Sequence, residues 1–141
     1  LATDHAGFEL KEIIKQYLIN NNIEVKDFGA FVYDKNDDYP DFIFPAAKYV
    51  SDNSNVKGII FGGSGQGEAI SANRIIGVRA VVYYGSKNEI IDLSRQHNDA
   101  NILVLPGRFI DVNVAKLCID NFLNTNFEKE RHVKRIEKID R

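Results

Sequence analysis

Val56-Lys57-Gly58-Ile59-Ile60-Phe61-Gly62-Gly63-Ser64-Gly65-Gln66-Gly67-Glu68 carries the pattern that decides the fold. Val56 to Phe61 is a short apolar run with the length of a buried strand. It leads into four glycines, Gly62, Gly63, Gly65 and Gly67, interrupted only by Ser64 and Gln66. Glu68 to Arg74 then has helix-forming content. Strand, glycine turn and helix in this order make one unit of an α/β sheet. Glycine costs backbone entropy wherever the conformation does not demand it, so a turn this rich in it points to a close approach between backbone and a ligand.

The alternation continues on both sides. Upstream, Leu10, Ile13, Ile14, Tyr17 and Leu18 recur at helical spacing until Asn20-Asn21-Asn22 stops the pattern, and Ile23, Glu24 and Val25 then alternate as a strand. Gly29 to Tyr39 reads as a polar loop. Pro40 suits a first helical turn, and Phe44, Ala47 and Val50 line one face of the helix it opens. Downstream, Ala80 to Tyr84 predicts a strand. Ser86-Lys87-Asn88-Glu89 predicts a capping box opening a helix with Ile90, Ile91 and Leu93 inside, and Asn101 to Leu105 predicts another strand. Asp111 is placed to cap a helix carrying Val114, Ala115, Cys118 and Phe122 on one side, and residues 128–141 predict a charged C-terminal helix.

With the strand that ends before Asp4, the chain shows about five short apolar strands between helices, the pattern of a doubly wound, parallel, Rossmann-like sheet. Ligands of such sheets lie outside the carboxyl ends of the strands. Three loops there carry unusual residues: Asp4-His5, the glycine turn, and Pro106-Gly107-Arg108.

Composition narrows the function. A chain of 141 residues that is 44% hydrophobic has the size of one domain, spanning 1–141, able to bury a core unaided. A net charge of -2 without a long single-sign block argues against nucleic-acid and membrane-surface roles. Cys118 is the single cysteine, so neither an internal disulfide nor cysteine zinc spacing is available, which favours a reducing cytoplasm. No apolar run approaches the roughly 18 residues of a membrane span, and Leu1 to His5 has no charged leader before an apolar stretch.

Several groups suit chemistry, each beside a plainer reading. The glycine turn directs N–H groups and helix dipole toward one point, which suits phosphate or a developing oxyanion, yet it lacks the ending of a nucleotide P-loop, and a tight turn without ligand has the same spacing. Glu68 follows it directly, placed either as a base or as an acid complementing the helix dipole. Asp4-His5 and Gln96-His97-Asn98-Asp99 pair an imidazole with carboxylate or amide, an arrangement for proton transfer that surface caps share. Arg131 and Arg135 share a helical face beside His132, fit for phosphate or for ion pairs with the surrounding acids. Cys118 lies in an apolar stripe and reads as core.

Taken together, Thr3-Asp4-His5-Ala6-Gly7-Phe8, Asp38-Tyr39-Pro40, Gly63-Ser64-Gly65-Gln66-Gly67, Ala72-Asn73, Ser94-Arg95-Gln96-His97-Asn98, Pro106-Gly107-Arg108 and Arg131-His132 occur in the order found in type B ribose-5-phosphate isomerases. The chain resembles that family, which includes galactose-6-phosphate isomerase subunits, over almost its whole length. The resemblance implies a three-layer αβα sandwich. It also implies a homodimer or dimer of dimers with sites shared between subunits, and a small sugar phosphate as substrate, with no metal and no organic cofactor. On matching positions it implies that Asp4 and His97 open the furanose ring, that Tyr39 lines the pocket and that Asn98 meets substrate hydroxyls. His5, Arg108, Arg131 and Arg135 would hold the phosphate. The family usually carries a few strand residues before the equivalent of Leu1, so the sequence is expected to start late.

One position departs from the common pattern. Many members have at Gly62 the cysteine that removes the substrate proton, whereas a subgroup with Gly-Gly-Ser-Gly-x-Gly-Glu uses the glutamate, and Gly62 through Glu68 is similar to that version. Glu68 is then the expected base, passing a proton between neighbouring carbons through a cis-enediolate. The N–H groups of Gly63, Gly65, Gln66 and Gly67 would stabilise the oxyanion, and Ser64 would shuttle the hydroxyl proton. Ribose 5-phosphate is the expected substrate. Allose or galactose 6-phosphate, or binding of a sugar phosphate without turnover, are the alternatives.

Overall fold

The computed structural model describes residues 1–140, so Arg141, the last residue of the predicted C-terminal helix, lies outside the described residues. Four strands form one parallel sheet: β1 (Ala2–Thr3), β2 (Gly58–Gly62), β3 (Ala80–Val82) and β4 (Ile102–Pro106), in the order β1-β2-β4-β3. Six α-helices surround it: α1 (Phe8–Asn20), α2 (Pro40–Asp52), α3 (Gln66–Ala72), α4 (Glu89–Asn98), α5 (Val112–Asn124) and α6 (Glu130–Ile136).

Side chains alternate across a strand, and the alternation builds two cores. Ile59, Phe61, Leu103 and Leu105 face Leu10, Ile14 and Leu18 of α1, Ile91 of α4, and Ile119 and Phe122 of α5. Ile60, Ile102 and Val104 face Ile43, Ala47 and Val50 of α2 and Ala69 and Ala72 of α3. Three layers and a parallel, doubly wound sheet follow, as the chain's alternation of strands and helices predicts. Cys118 is fully buried in the first core, and burial pushes its thiol up to about 11, far from a reactive thiolate.

Among the described residues the strands number four, against about five expected. Ile23–Val25 forms no strand; the Ile23 N–H instead donates to Leu18 O and closes α1. The chain does run beside β1 a little later, where Leu1 N donates to Lys26 O and Phe28 N to Leu1 O, each within 3 Å. Gly29, at φ 102°, then turns the backbone so that its own carbonyl accepts from Thr3 N, one residue out of ladder register.

Smaller corrections have similar local causes. Ile43, Ala46, Ala47 and Val50 form the buried stripe of α2, and Phe44, about 100° round the helix from Ile43, is 40% exposed. The expected capping box at Ser86 is not made: Asn88 precedes α4 in helical conformation with no side-chain cap, and its Oδ1 accepts from the Tyr83 hydroxyl. Asp111 caps α5 as expected, accepting from Asn113 N at 2.8 Å. The last helix is confined to Glu130–Ile136.

Lys11 on α1 is fully buried, with its ammonium 2.6 Å from Asp27 Oδ2 and 2.9 Å from Glu12 Oε1. Breaking a buried pair leaves an uncompensated charge, so Lys11→Ala is expected to cost about 3 kcal/mol or more, read as a lowered midpoint in urea unfolding.

Candidate active site

The sheet changes winding direction between β1 and β2, because α1 leaves to one face and α3 to the other. A crevice at the carboxyl ends of these strands is where an open α/β sheet places its ligands. The three loops singled out above meet there: Gly107 N donates to Gly62 O at 2.8 Å and Arg108 N to Gly63 O at 3.2 Å. A Cβ on Gly107 would lie within 3.3 Å of Ala6 O, which brings the Asp4–Gly7 loop alongside.

Glu68 sits in the first turn of α3 yet is only 5% exposed. Its carboxylate folds back over β2's last residue and fills the space beside Gly62, where a Cβ would lie 2.1 Å from Glu68 Cδ and Oε1. Any side chain at position 62 would evict it. Burial raises the pKa of Glu68, its own backbone N–H opposes this, and the charge of nearby Asp4 adds to the rise. A carboxylate poised above its ordinary range, dry and beside a second acid, is suited to taking a proton from carbon and giving it back.

Around it, Tyr39 stands against the glycine turn, its Cζ 2.8 Å from where a Cβ on Gly67 would sit. The Arg108 guanidinium covers Gly63, and Gly65 precedes α3 in left-handed conformation. Ser64 is exposed, with Oγ accepting weakly from Gln66 N at 3.4 Å. The Gln66 side chain turns to the Tyr84 hydroxyl, 2.8 Å away, so only its backbone faces the turn. Tyr84 in turn donates to Ser64 O at 2.7 Å. Asp4 is buried and accepts from Ala6 N, and His5 Nδ1 lies 2.6 Å from Asp37 Oδ1.

The remaining expected residues lie elsewhere in the chain. His97 and Asn98 end α4, and Asp99-Ala100-Asn101 lead directly into β4, so they sit at the amino ends of the strands. A five-residue strand spans about 16 Å and separates them from Glu68. Near them, His132 of α6 stacks on His97 with ring centroids 4.4 Å apart, and Glu128 Oε2 lies 3.7 Å from His97 Nε2. Arg131 and Arg135 are exposed on α6, flanking His132. Burial, His97 and the two arginines lower the pKa of His132, and the Glu128 carboxylate opposes them.

Among the described residues, two clusters bring three metal-capable donors within 4.8 Å: His97-Glu128-His132 and Asp4-His5-Asp37. The first is stacked with only 12° between ring planes, so the two Nε2 lone pairs lie in separate planes and cannot converge on one ion without rotation. In the second, 2.6 Å between His5 Nδ1 and Asp37 Oδ1 is a hydrogen bond, shorter than the roughly 3.3 Å edge of a tetrahedral site.

Sequence reasoning missed Asp37, Tyr84 and Glu128. Asp37 and Tyr84 stand in stretches read as polar loop and strand, with nothing in the local pattern to mark them. Glu128 was one acid among several in the charged C-terminal stretch.

These features define a doubly wound α/β protein with a buried carboxylate lodged in a glycine turn at its switch point. The chain belongs to the ribose/galactose isomerase family, whose sequence model matches residues 1–139. It is 42% identical over 140 residues to the probable ribose-5-phosphate isomerase B of Mycoplasma genitalium, covering 99% of this chain and 91% of that one. With ribose-5-phosphate isomerase B of Escherichia coli it shares 38% over 136 residues, 96% of this chain and 89% of that one. Among solved structures it superposes with TM-score 0.92 on a ribose 5-phosphate isomerase of Thermotoga maritima, at 44% identity over 99% of this chain and 94% of that one. The Mycoplasma genitalium enzyme with bound ribulose 5-phosphate gives TM-score 0.92 at 41% identity, covering 98% and 90%. Among the described residues no helix is long and apolar enough to cross a membrane.

Proposed function

We propose that this chain is an isomerase domain that interconverts ribose 5-phosphate and ribulose 5-phosphate through a cis-enediolate, without a metal or organic cofactor. The observation that carries the reading is the buried Glu68 carboxylate lodged against Gly62. A binding module has no use for a dry base of raised pKa at the ligand crevice. Glu68 takes the proton from the carbon next to the carbonyl and returns it to the neighbouring carbon. The N–H groups of Gly63, Gly65, Gln66 and Gly67 meet the charge that develops on oxygen, and Ser64 shuttles the hydroxyl proton. His5 and Arg108 receive the phosphate, and Tyr39 forms a wall.

The amino-end group completes the site from a second copy of the chain. His97 joins Asp4 in opening the ring, Asn98 meets hydroxyls, and Arg131 and Arg135 close on the phosphate, so that binding energy far from the reacting carbons aligns them. The separation of this group from Glu68 by the length of the sheet supports a homodimer or dimer of dimers. A lone buried Cys118 accords with a cytoplasmic setting.

The direct test is turnover of ribose 5-phosphate by purified protein in excess chelator, with allose 6-phosphate and galactose 6-phosphate alongside. Chelator-resistant turnover is expected, fastest on the pentose. Faster turnover of a hexose phosphate would reassign the substrate, and binding without turnover would replace the enzyme reading with a binding module. The shared site has its own test. Glu68→Gln and His97→Ala chains, each inactive alone, are expected to recover about one quarter of wild-type activity when mixed and reassembled, because half of a random mixture is hybrid dimer with one intact site in two. No recovery despite hybrid formation would place a whole site in each chain.

A further inference from the structure

We infer that Asp37 is a positioning residue for His5, fixing the ring with Nδ1–H toward the protein and Nε2 toward the substrate's phosphate. Asp37 lies in the loop before α2, far from His5 in sequence, and its Oδ1 takes two hydrogen bonds from that one residue. The His5 backbone N–H donates at 3.0 Å and ring Nδ1 lies at 2.6 Å. Backbone and ring are thus held by a single atom, which leaves His5 little freedom about χ1 and χ2. The alternative partner for Nδ1, Asp4 Oδ2, is 3.9 Å away, outside hydrogen-bond range, and Asp4 is already engaged by Ala6 N. Tyr33 stands edge-on to the ring at 6.1 Å between centroids and limits its swing on another side.

The second oxygen, Asp37 Oδ2, strengthens the assignment. The side chain is only 9% exposed, and Oδ2 is buried with no hydrogen-bond partner. Burying a carboxylate oxygen unsatisfied is costly, and a residue whose only task was to tie down the loop would do so without that cost as serine or threonine. A carboxylate fixes an imidazole tautomer most firmly, since an ionised oxygen accepts only and so compels Nδ1 to carry the proton, and an amide oxygen can do so in part. Nε2 is then the one ring nitrogen open to substrate. In metal sites, where a partner behind a ligating histidine sets its ring, losing that partner typically costs about 10- to 100-fold in affinity or activity, and the same scale is expected for this ring.

The inference rests on the proposed phosphate contact of His5, but the decisive measurement does not. In 15N-resolved NMR of the intact protein near neutral pH, with the His5 signal assigned by its loss in His5→Asn, neutral His5 is expected wholly as the Nδ1–H tautomer. Asp37→Ala is expected to restore a mixture of tautomers. Wild-type His5 protonated on Nε2 with a bare Nδ1, or an Asp37→Ala spectrum unchanged in this signal, would overturn the assignment whether or not the protein turns over ribose 5-phosphate. In kinetics, Asp37→Ala should raise KM about 10-fold or more with kcat changed by less than about 3-fold, and Asp37→Asn, which keeps one acceptor, should recover most of the loss. A fall in kcat at unchanged KM would instead make Asp37 part of the proton-transfer machinery. Should Asp37→Ala fail to fold, the wild-type tautomer and the Asp37→Asn kinetics still decide.

Discussion

Glu68→Gln is expected to lower kcat by about 10²- to 10⁴-fold, the usual contribution of a positioned general base, while the fold and phosphate binding persist. Exchange of the substrate's carbon-bound proton with solvent deuterium should stop in parallel, and near-normal exchange would remove Glu68 from the role. The same substitution should stabilise the protein, and the sign follows from linkage. Burial holds the native pKa of Glu68 above its unfolded value, so between those two values the native state binds more protons than the unfolded one. Stability therefore falls as pH rises through that window and stays reduced above it. Glutamine has no such penalty. Melting temperatures at pH 8 should favour Glu68→Gln, and the advantage should vanish below the ordinary carboxylate range. A variant that is dead but more stable would separate catalytic from structural loss.

Gly62→Ala is expected to be nearly as damaging, by at least about 10²-fold in kcat/KM, although it adds one methyl group at a residue that donates no side chain. The added Cβ would overlap the Glu68 carboxylate, 2.1 Å away, and a displacement of about 1 Å at a reacting group costs rates of that order. Gly63→Ala is the comparison that crowds the neighbouring position without touching Glu68, and any loss there is expected in KM, through Arg108, more than in kcat. There the new Cβ would meet only the flexible Arg108 guanidinium at 3.3 Å and Ala6 Cβ at 3.4 Å. A crystal structure of Gly62→Ala should show Glu68 turned out of the pocket; an unmoved carboxylate with full activity would refute the argument.

What the sequence disclosed and withheld follows from the range of the interactions. Val56 to Phe61, the glycine turn and the stripes of α1 and α5 are local patterns, periodic in burial, and they yielded the layers and the parallel sheet. Ile23–Val25 failed because a two-residue alternation is decided by where the chain goes next, here the closure of α1 by Ile23 N on Leu18 O. Phe44 failed because a short window left the helical stripe undetermined by about 100°, one residue. Glu68, Asp4, Tyr39 and Arg108 were expected because a resemblance named them, and the fold brings the loops that carry them side by side. Asp37 was not, since its partner lies 32 residues away and only tertiary structure joins them. Nor does spacing along the chain reveal that His97 and Arg131 stand at the opposite end of the sheet from Glu68.

The volume shared by position 62 and the Glu68 carboxylate also constrains ancestry. A lineage cannot hold a cysteine at 62 and an inward Glu68 together, since one atom beyond Cα already collides. Passage between the cysteine and glutamate versions of this turn is therefore epistatic. On the proposed role of Glu68, a glutamate acquired first waits outside the pocket until glycine clears the room, and a glycine acquired first would leave the site without a base. The viable order is glutamate, then glycine, and any return runs back through the same intermediate, with the glutamate turned out of the pocket.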